Sequence, residues 1–155
     1  MSLISTLLPV SHVVLDLTAQ DKKALFDQVS GLLEYSTGIK RGRILDSLIA
    51  RERLQSTGLG QGIAVPHGRV KGLRAPVGLF VRMRAPIDFD SVDERPVTLI
   101  FVLLVPERAT DLHLQILSEL AEMFSDREFR AQLEQAPNAV SAQRLITGWK
   151  AKAAH

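Results

Sequence analysis

The 155-residue chain has no cysteine. That single absence excludes disulfides, thiolate metal sites and cysteine nucleophiles. An excess of charge of one sign is also lacking: 19 basic residues face 17 acidic ones, for a formal net charge of +2. So small an excess gives no electrostatic case for nucleic acid or an anionic membrane. The longest apolar run, "VTLIFVLLVP" at 97–106, falls far short of the roughly 20 residues that span a bilayer. The opening "MSLISTLLPVSHVV" lacks the basic and continuous apolar regions of a signal peptide. Repeats, low-complexity tracts and linkers are missing too. What remains is 46% apolar and 23% charged residues, the composition of one soluble globular domain, expected in the cytoplasm.

Periodicity sketches that domain. "VVLDL" (13–17) reads as a strand, and Thr18 with Asp21 resembles a capping box before a helix. Leu25, Val29, Leu32 and Leu33 fall on one face of that helix. "RGRILDSLIARERL" (41–54) is a second helix with Ile44, Leu45, Leu48 and Ile49 inward; Arg51 and Arg53 suit its negative end. Strands are expected at 62–65, 76–83 and 97–105. A helix follows through Leu112, Ile116, Leu117 and Leu120, capped by Thr110. Ser125 and Glu128 suggest another capping box, and a last helix ends near Gly148. The expected fold is α/β or α+β: a mixed central sheet of about five strands flanked by helices on both faces.

The stretch "GLGQGIAVPHGRV" (58–70) concentrates the unusual chemistry. Gly58, Gly60 and Gly62 give G-x-G-x-G, with Ile63 where a dinucleotide fingerprint needs glycine. This loop also follows a helix and opens a strand, the reverse of a Rossmann turn. Pro66 fixes its own φ and pushes Val65 towards extended backbone, so His67 stands on a stiff stem. Gly68 permits positive φ and close approach of a ligand or backbone. Uncovered N–H groups of the glycines would suit an anion. Equally, His67 could be a turn histidine that satisfies one hydrogen bond.

His113 lies in "TDLHLQILSEL", within the first turns of its helix, where the positive pole favours neutral imidazole. Strand ends and helix starts share one sheet edge, so His67 and His113 can converge; the plain alternative is a surface or capping histidine. A hydrolytic zinc site would need a third ligand, with Asp111 nearest, but no H-E-x-x-H pattern is present. His12 and His155 carry no functional signal. Arg51 alone reads as a solvated helix-end cation, and "GRVKGLR" beside His67 as either a docking surface or a solvated basic loop.

Three stretches carry a resemblance: "RERLQSTGLGQGIAVPHG" (51–68), "LIFVLLVPERATDLHLQILSEL" (99–120) and "LLPVSHVVLDLTAQDKKALFDQVSGLL" (7–33). Together they resemble the IIA proteins of the fructose–mannitol class (EIIA type 2) in the bacterial phosphoenolpyruvate-dependent phosphotransferase system (PTS). The nitrogen-regulatory branch (EIIA-Ntr) is the nearest fit. The likeness covers about residues 3–147, leaving 148–155 as a tail.

The resemblance implies that His67 is phosphorylated by an HPr-like phosphocarrier, with Arg51 close to the site and His113 as its second histidine. No cofactor or metal is implied. Gln61 stands where relatives often have asparagine. Regulatory target proteins, potassium transporters or sensor kinases among them, follow by analogy. A sugar-specific EIIA passing phosphate to an EIIB is the alternative within the family. A binding module that has lost transfer activity is the alternative outside it.

Overall fold

A computed structural model describes residues 3–108 and 111–150. Two short 3-10 turns, Ile4–Thr6 and Val10–His12, lead into strand β1, Val13–Leu17. Helices α1 (Lys22–Thr37) and α2 (Arg41–Leu54) follow. Then come β2 (Gly58–Gly60), β3 (Ile63–Ala64), β4 (His67–Val70), β5 (Val77–Ile87) and β6 (Val97–Pro106). The described chain closes with α3 (Asp111–Ser125), α4 (Arg127–Gln135) and α5 (Ala139–Gly148).

The six strands form one mixed sheet. Its axis is the antiparallel pair β5–β6, with β1 parallel to β5 on one side. On the other side β3 and β4 run in series along β6, both parallel to it, and β2 folds back antiparallel on β3. Pro66 explains the break between β3 and β4, since it has no N–H to give the ladder. Its carbonyl still accepts from Leu103 N at 2.9 Å. The register sets His67 beside Leu103, at the end of β6 that leads to α3.

Strand β6 is apolar on both faces because both are covered. Leu99, Phe101, Leu103 and Val105 pack with Ile116, Leu120, Phe129, Leu133 and Ile146 of α3–α5. Ile100, Val102 and Leu104 pack with Leu25, Val29, Leu33, Ile44 and Leu48 of α1 and α2. Helices on both faces of a mixed sheet are what the alternation of elements predicted.

Several local expectations need correction. Asp21, not Thr18, caps α1, its carboxylate accepting from Ala24 N at 2.8 Å; Thr18 instead offers its carbonyl to Gln28. Asp126, not Ser125, caps α4 through Phe129 N, while Ser125 ends α3 and donates to Glu122 O. In both cases a carboxylate one to three residues on lies nearer the first free N–H groups. Leu32 and Leu112 face outward, because the buried stripes run through Leu25–Val29–Leu33 and His113–Ile116–Leu120. The expected Thr110 cap lies outside the described residues. Strand β5 runs four residues past its expected end, to Ile87, and β2 and β4 were not expected at all. Gly148 is the last residue of α5, and Trp149 packs edge-on against Phe129, ring centroids 6.4 Å apart.

Candidate functional site

The segment between α2 and β4 is built from side-chain clamps on the backbone. Glu52, in the last turn of α2, accepts from Thr57 N at 3.0 Å and from Thr57 Oγ1 at 2.5 Å. Ser56 Oγ donates to Phe89 O and accepts from Gly58 N. Gln61 (φ 58°) and Gly62 (φ 80°) both have positive φ, which makes the β2–β3 connection a two-residue type I′ hairpin turn. Asp93 holds that turn through Gln61 N at 2.8 Å and also accepts from Arg95 N, two residues on, at 3.1 Å. Those two N–H groups, that of Gln61 foremost, hold its carboxyl below the usual aspartate range.

Of the N–H groups expected to be uncovered for an anion, that of Gly58 is taken by Ser56 Oγ, and the neighbouring Gln61 N–H is taken by Asp93. The glycine run forms a hairpin. Gly68 does allow the close approach its sequence suggested, without a positive φ. It lies inside β4, and a Cβ there would meet Ser47 Oγ at 2.3 Å. Its missing side chain admits helix α2, whose Ser47 donates to Arg69 O at 2.7 Å.

The hairpin and β4 present His67 half-buried beside a groove lined by Arg51, Thr57, Leu59, Val92 and Leu117. His67 Nδ1 lies 2.8 Å from Val65 O. A carbonyl can only accept, so Nδ1 carries the proton and Nε2 holds the lone pair. Arg51 agrees with that tautomer: its Nε–H donates to Nε2 at 3.2 Å, while Nη1 donates to Gln55 O at 2.8 Å. Burial, foremost, holds the His67 ring below the ordinary imidazole value, and the Arg51 cation adds to this. The Val65 hydrogen bond and the Glu52 carboxylate oppose it.

His113 meets His67 edge-on, with ring centroids 5.4 Å apart. It occupies a core position of α3, 8% exposed, and neither ring nitrogen has a hydrogen-bond partner among the described residues. Burial again leads in lowering its pKa, followed by the charges of His67, Arg69 and Arg51. The arrangement is thus a neutral imidazole lone pair, steered by an arginine, beside a second imidazole with unused hydrogen-bonding capacity.

The structure brings Arg51, His67 and His113 together and leaves Gln61 on the outer hairpin, where its Oε1 accepts from Arg95 at 3.5 Å. His12 is structural: its Nδ1 bonds Gly78 O at 2.8 Å. Among the described residues no three His, Cys, Asp or Glu side chains gather as a metal-binding group, Asp111 included. Sequence reasoning overlooked Glu52, Thr57 and Lys22, which brace the segment from behind. The signal available was a Glu in the last helical turn followed five residues later by Thr.

The family model described as "Phosphoenolpyruvate-dependent sugar phosphotransferase system, EIIA 2" matches residues 6–148. The chain belongs to this EIIA family. It is a component of a phosphotransferase system, and no helix among its described residues is long and apolar enough to cross a membrane. A nitrogen regulatory protein of Pseudomonas aeruginosa is 40% identical to this EIIA over 81% of the chain and 82% of its own length. The fructose-specific EIIA component of Haloferax volcanii is 31% identical over 92% of this chain and 94% of its own. The crystal structure of nitrogen regulatory protein IIA-Ntr from Neisseria meningitidis superposes with a TM-score of 0.90. It is 46% identical and covers 94% of this EIIA and 99% of that chain.

Proposed function

We propose that this EIIA is a regulatory phosphocarrier of the nitrogen type, and that His67 Nε2 takes a phosphoryl group from the phosphohistidine of an HPr-like protein in the cytoplasm. The observation that carries this reading is the His67 tautomer: Val65 O holds the proton on Nδ1 and leaves Nε2 as the lone-pair nitrogen.

In the transfer, the donor's P–N bond breaks and a P–Nε2 bond forms, the electron pair returning to the donor ring. His67 needs no base, because its lowered pKa keeps it neutral near pH 7. Arg51 covers the lone pair in the bare protein, so its guanidinium must swing from Nε2 onto a phosphoryl oxygen as transfer proceeds. Its tie to Gln55 O keeps it within reach. Positive charge rises on the imidazole at the same moment. The Nδ1–H bond to Val65 O and the nearby Glu52 carboxylate stabilise it. His113, buried and with no hydrogen-bond partner among the described residues, supplies a ring N–H for the phosphoryl group. Exchange between two phosphohistidines is nearly balanced in energy, so positioning and charge stabilisation do most of the work.

The relatives named nitrogen regulatory proteins, at 40% and 46% identity, favour the signalling branch over the fructose-specific one at 31%. A dianionic group at His67 changes the charge of this face and hence which proteins bind it; potassium transporters and sensor kinases are the targets we put forward. Incubation with phosphoenolpyruvate, enzyme I and the HPr-like carrier tests the chemistry. We expect the mass of one phosphoryl group, labile to acid, stable to base and absent in His67→Ala. No gain in mass with a carrier from the same organism overturns the reading.

A further inference from the structure

We infer that Glu52, neutralised by Lys22, is a positioning residue that fixes both ring nitrogens of His67 through two hydrogen-bonded arms. The inference rests on His67 being the phosphoryl acceptor, although its structural half can be measured without transfer.

The Glu52 side chain is only 7% exposed, yet it receives three donors: Lys22 Nζ at 2.9 Å, Thr57 N at 3.0 Å and Thr57 Oγ1 at 2.5 Å. Such a carboxylate survives away from water only when paired and fully hydrogen-bonded. Lys22 comes from the first turn of α1, where it also lies 4.8 Å over the Phe89 ring and 3.4 Å from the exposed Asp90. One arm runs onward from Thr57, whose carbonyl accepts from Val65 N at 3.0 Å, and Val65 O takes the His67 Nδ1 proton. The other arm is the turn that Glu52 closes between α2 and Thr57. That turn carries Gln55 O, which anchors Arg51 against Nε2. One carboxylate thus holds the residue that orients Nδ1 and the carbonyl that restrains the group on Nε2. Loss of either arm frees the ring to rotate or exchange tautomers, and misplacement of a nucleophile by about 1 Å costs on the order of a hundredfold in rate.

The charged and titratable groups around His67 are Arg51 and Glu52 of α2 and His113 of α3. The experiment combines single-turnover phosphoryl transfer from the HPr-like carrier with 15N NMR of the His67 ring across pH. Glu52→Gln should slow transfer about tenfold or more at saturating carrier, with half-saturation unchanged. It should also mix the His67 tautomers and lower the ring's pKa through loss of the carboxylate charge. Because Glu52→Gln strands Lys22 and risks unfolding, Thr57→Val gives a milder second test: it removes one donor and no charge. It should slow transfer and mix tautomers to a smaller degree, and Thr57→Ser should restore both. Asp90→Asn, which alters only the exposed contact of Lys22, serves as the control.

A folded Glu52→Gln or Thr57→Val variant with the wild-type tautomer and rate overturns the inference. Wild-type protein that gains no phosphoryl group on His67 overturns the acceptor reading instead, and the tautomer measurement still decides whether Glu52 positions the ring.

Discussion

Strand β6 and the segment from Arg51 to Gly68 lie side by side in one sheet, and different forces hold them. From Leu99 to Val105 every side chain of β6 is buried, on one face against α3–α5 and on the other against α1 and α2. Its order comes from apolar area, which is non-directional and tolerant of the exact side chain. The neighbouring segment sends Ile63, Ala64 and Val65 into the core but is also held by polar clamps. Glu52, Ser56, Thr57 and Asp93 hold its backbone by hydrogen bonds, and glycines stand where a Cβ has no room. Burial makes the platform, and directional bonds aim the histidine. A chemical site needs an orientation, which apolar packing alone does not specify.

The contrast can be broken or sharpened by substitution. The largest effect on stability should come from β6: Phe101→Ala removes a fully buried ring and should cost about 3–5 kcal/mol in denaturant unfolding. Below its unfolding midpoint the variant should keep its His67 tautomer, since none of the clamps is touched; a changed tautomer would mean that packing and aiming are not separable. Gly68→Ala comes next. The added methyl drives Ser47 and helix α2 off β4, at a cost of about 1–3 kcal/mol, and should slow phosphoryl acceptance as well. Ser47→Ala with Gly68→Ala should recover only part of the loss, because Ser47 Cβ at 3.2 Å still crowds the new methyl and the bond to Arg69 O is gone.

A smaller effect should appear in pH dependence. Both histidines are held below 6.5 in the folded chain, so the unfolded chain takes up protons first as pH falls. Stability should be level above about pH 6.5 and decline as pH drops below that value towards the folded-state pKa values. In His113→Leu the decline measured by thermal unfolding should flatten. A steeper decline would reverse the sign assigned to burial. The smallest effect belongs to Gln61→Asn. Asparagine visits positive φ at less cost than glutamine, so the hairpin should gain less than about 1 kcal/mol. The Gln61 side chain bonds Arg95 on the outer hairpin, so transfer should not change.

Much of the fold was legible where periodicity is strong. The stripes of α1, α2 and α3, apart from Leu32 and Leu112, and the unbroken apolar run of β6 mark faces packed against the core in the structure. Strands β2 and β4 were not legible. "GLG" and "HGRV" have no alternating pattern, and they are strands only because β3 and β6 offer unpaired backbone edges. The caps shifted by one to three residues because Thr18 and Ser125 each had an acidic residue just downstream that reached the free N–H groups better. At the site, Pro66 with its rigid stem and a close approach at Gly68 were readable from local mechanics, whereas what approaches Gly58 and Gly68 was not. Their close neighbours, Ser91 and Ser47, come from distant parts of the chain.

By itself the sequence determined the helices, the doubly covered central strand, the freedom from cysteine chemistry and the setting of His67 between Pro66 and Gly68. These depend on composition, spacing and backbone dihedrals, all of them local. Tertiary structure alone decided that His113 turns inward to within 5.4 Å of His67, that Arg51 meets Nε2, and that Val65 O claims the Nδ1 proton. It also placed Lys22 of α1 on Glu52 of α2. Apart from the local bond between His67 and Val65, each of these is a distance between segments well separated in the chain. Only the register of β4 on β6 and the packing of helices across the sheet set such distances.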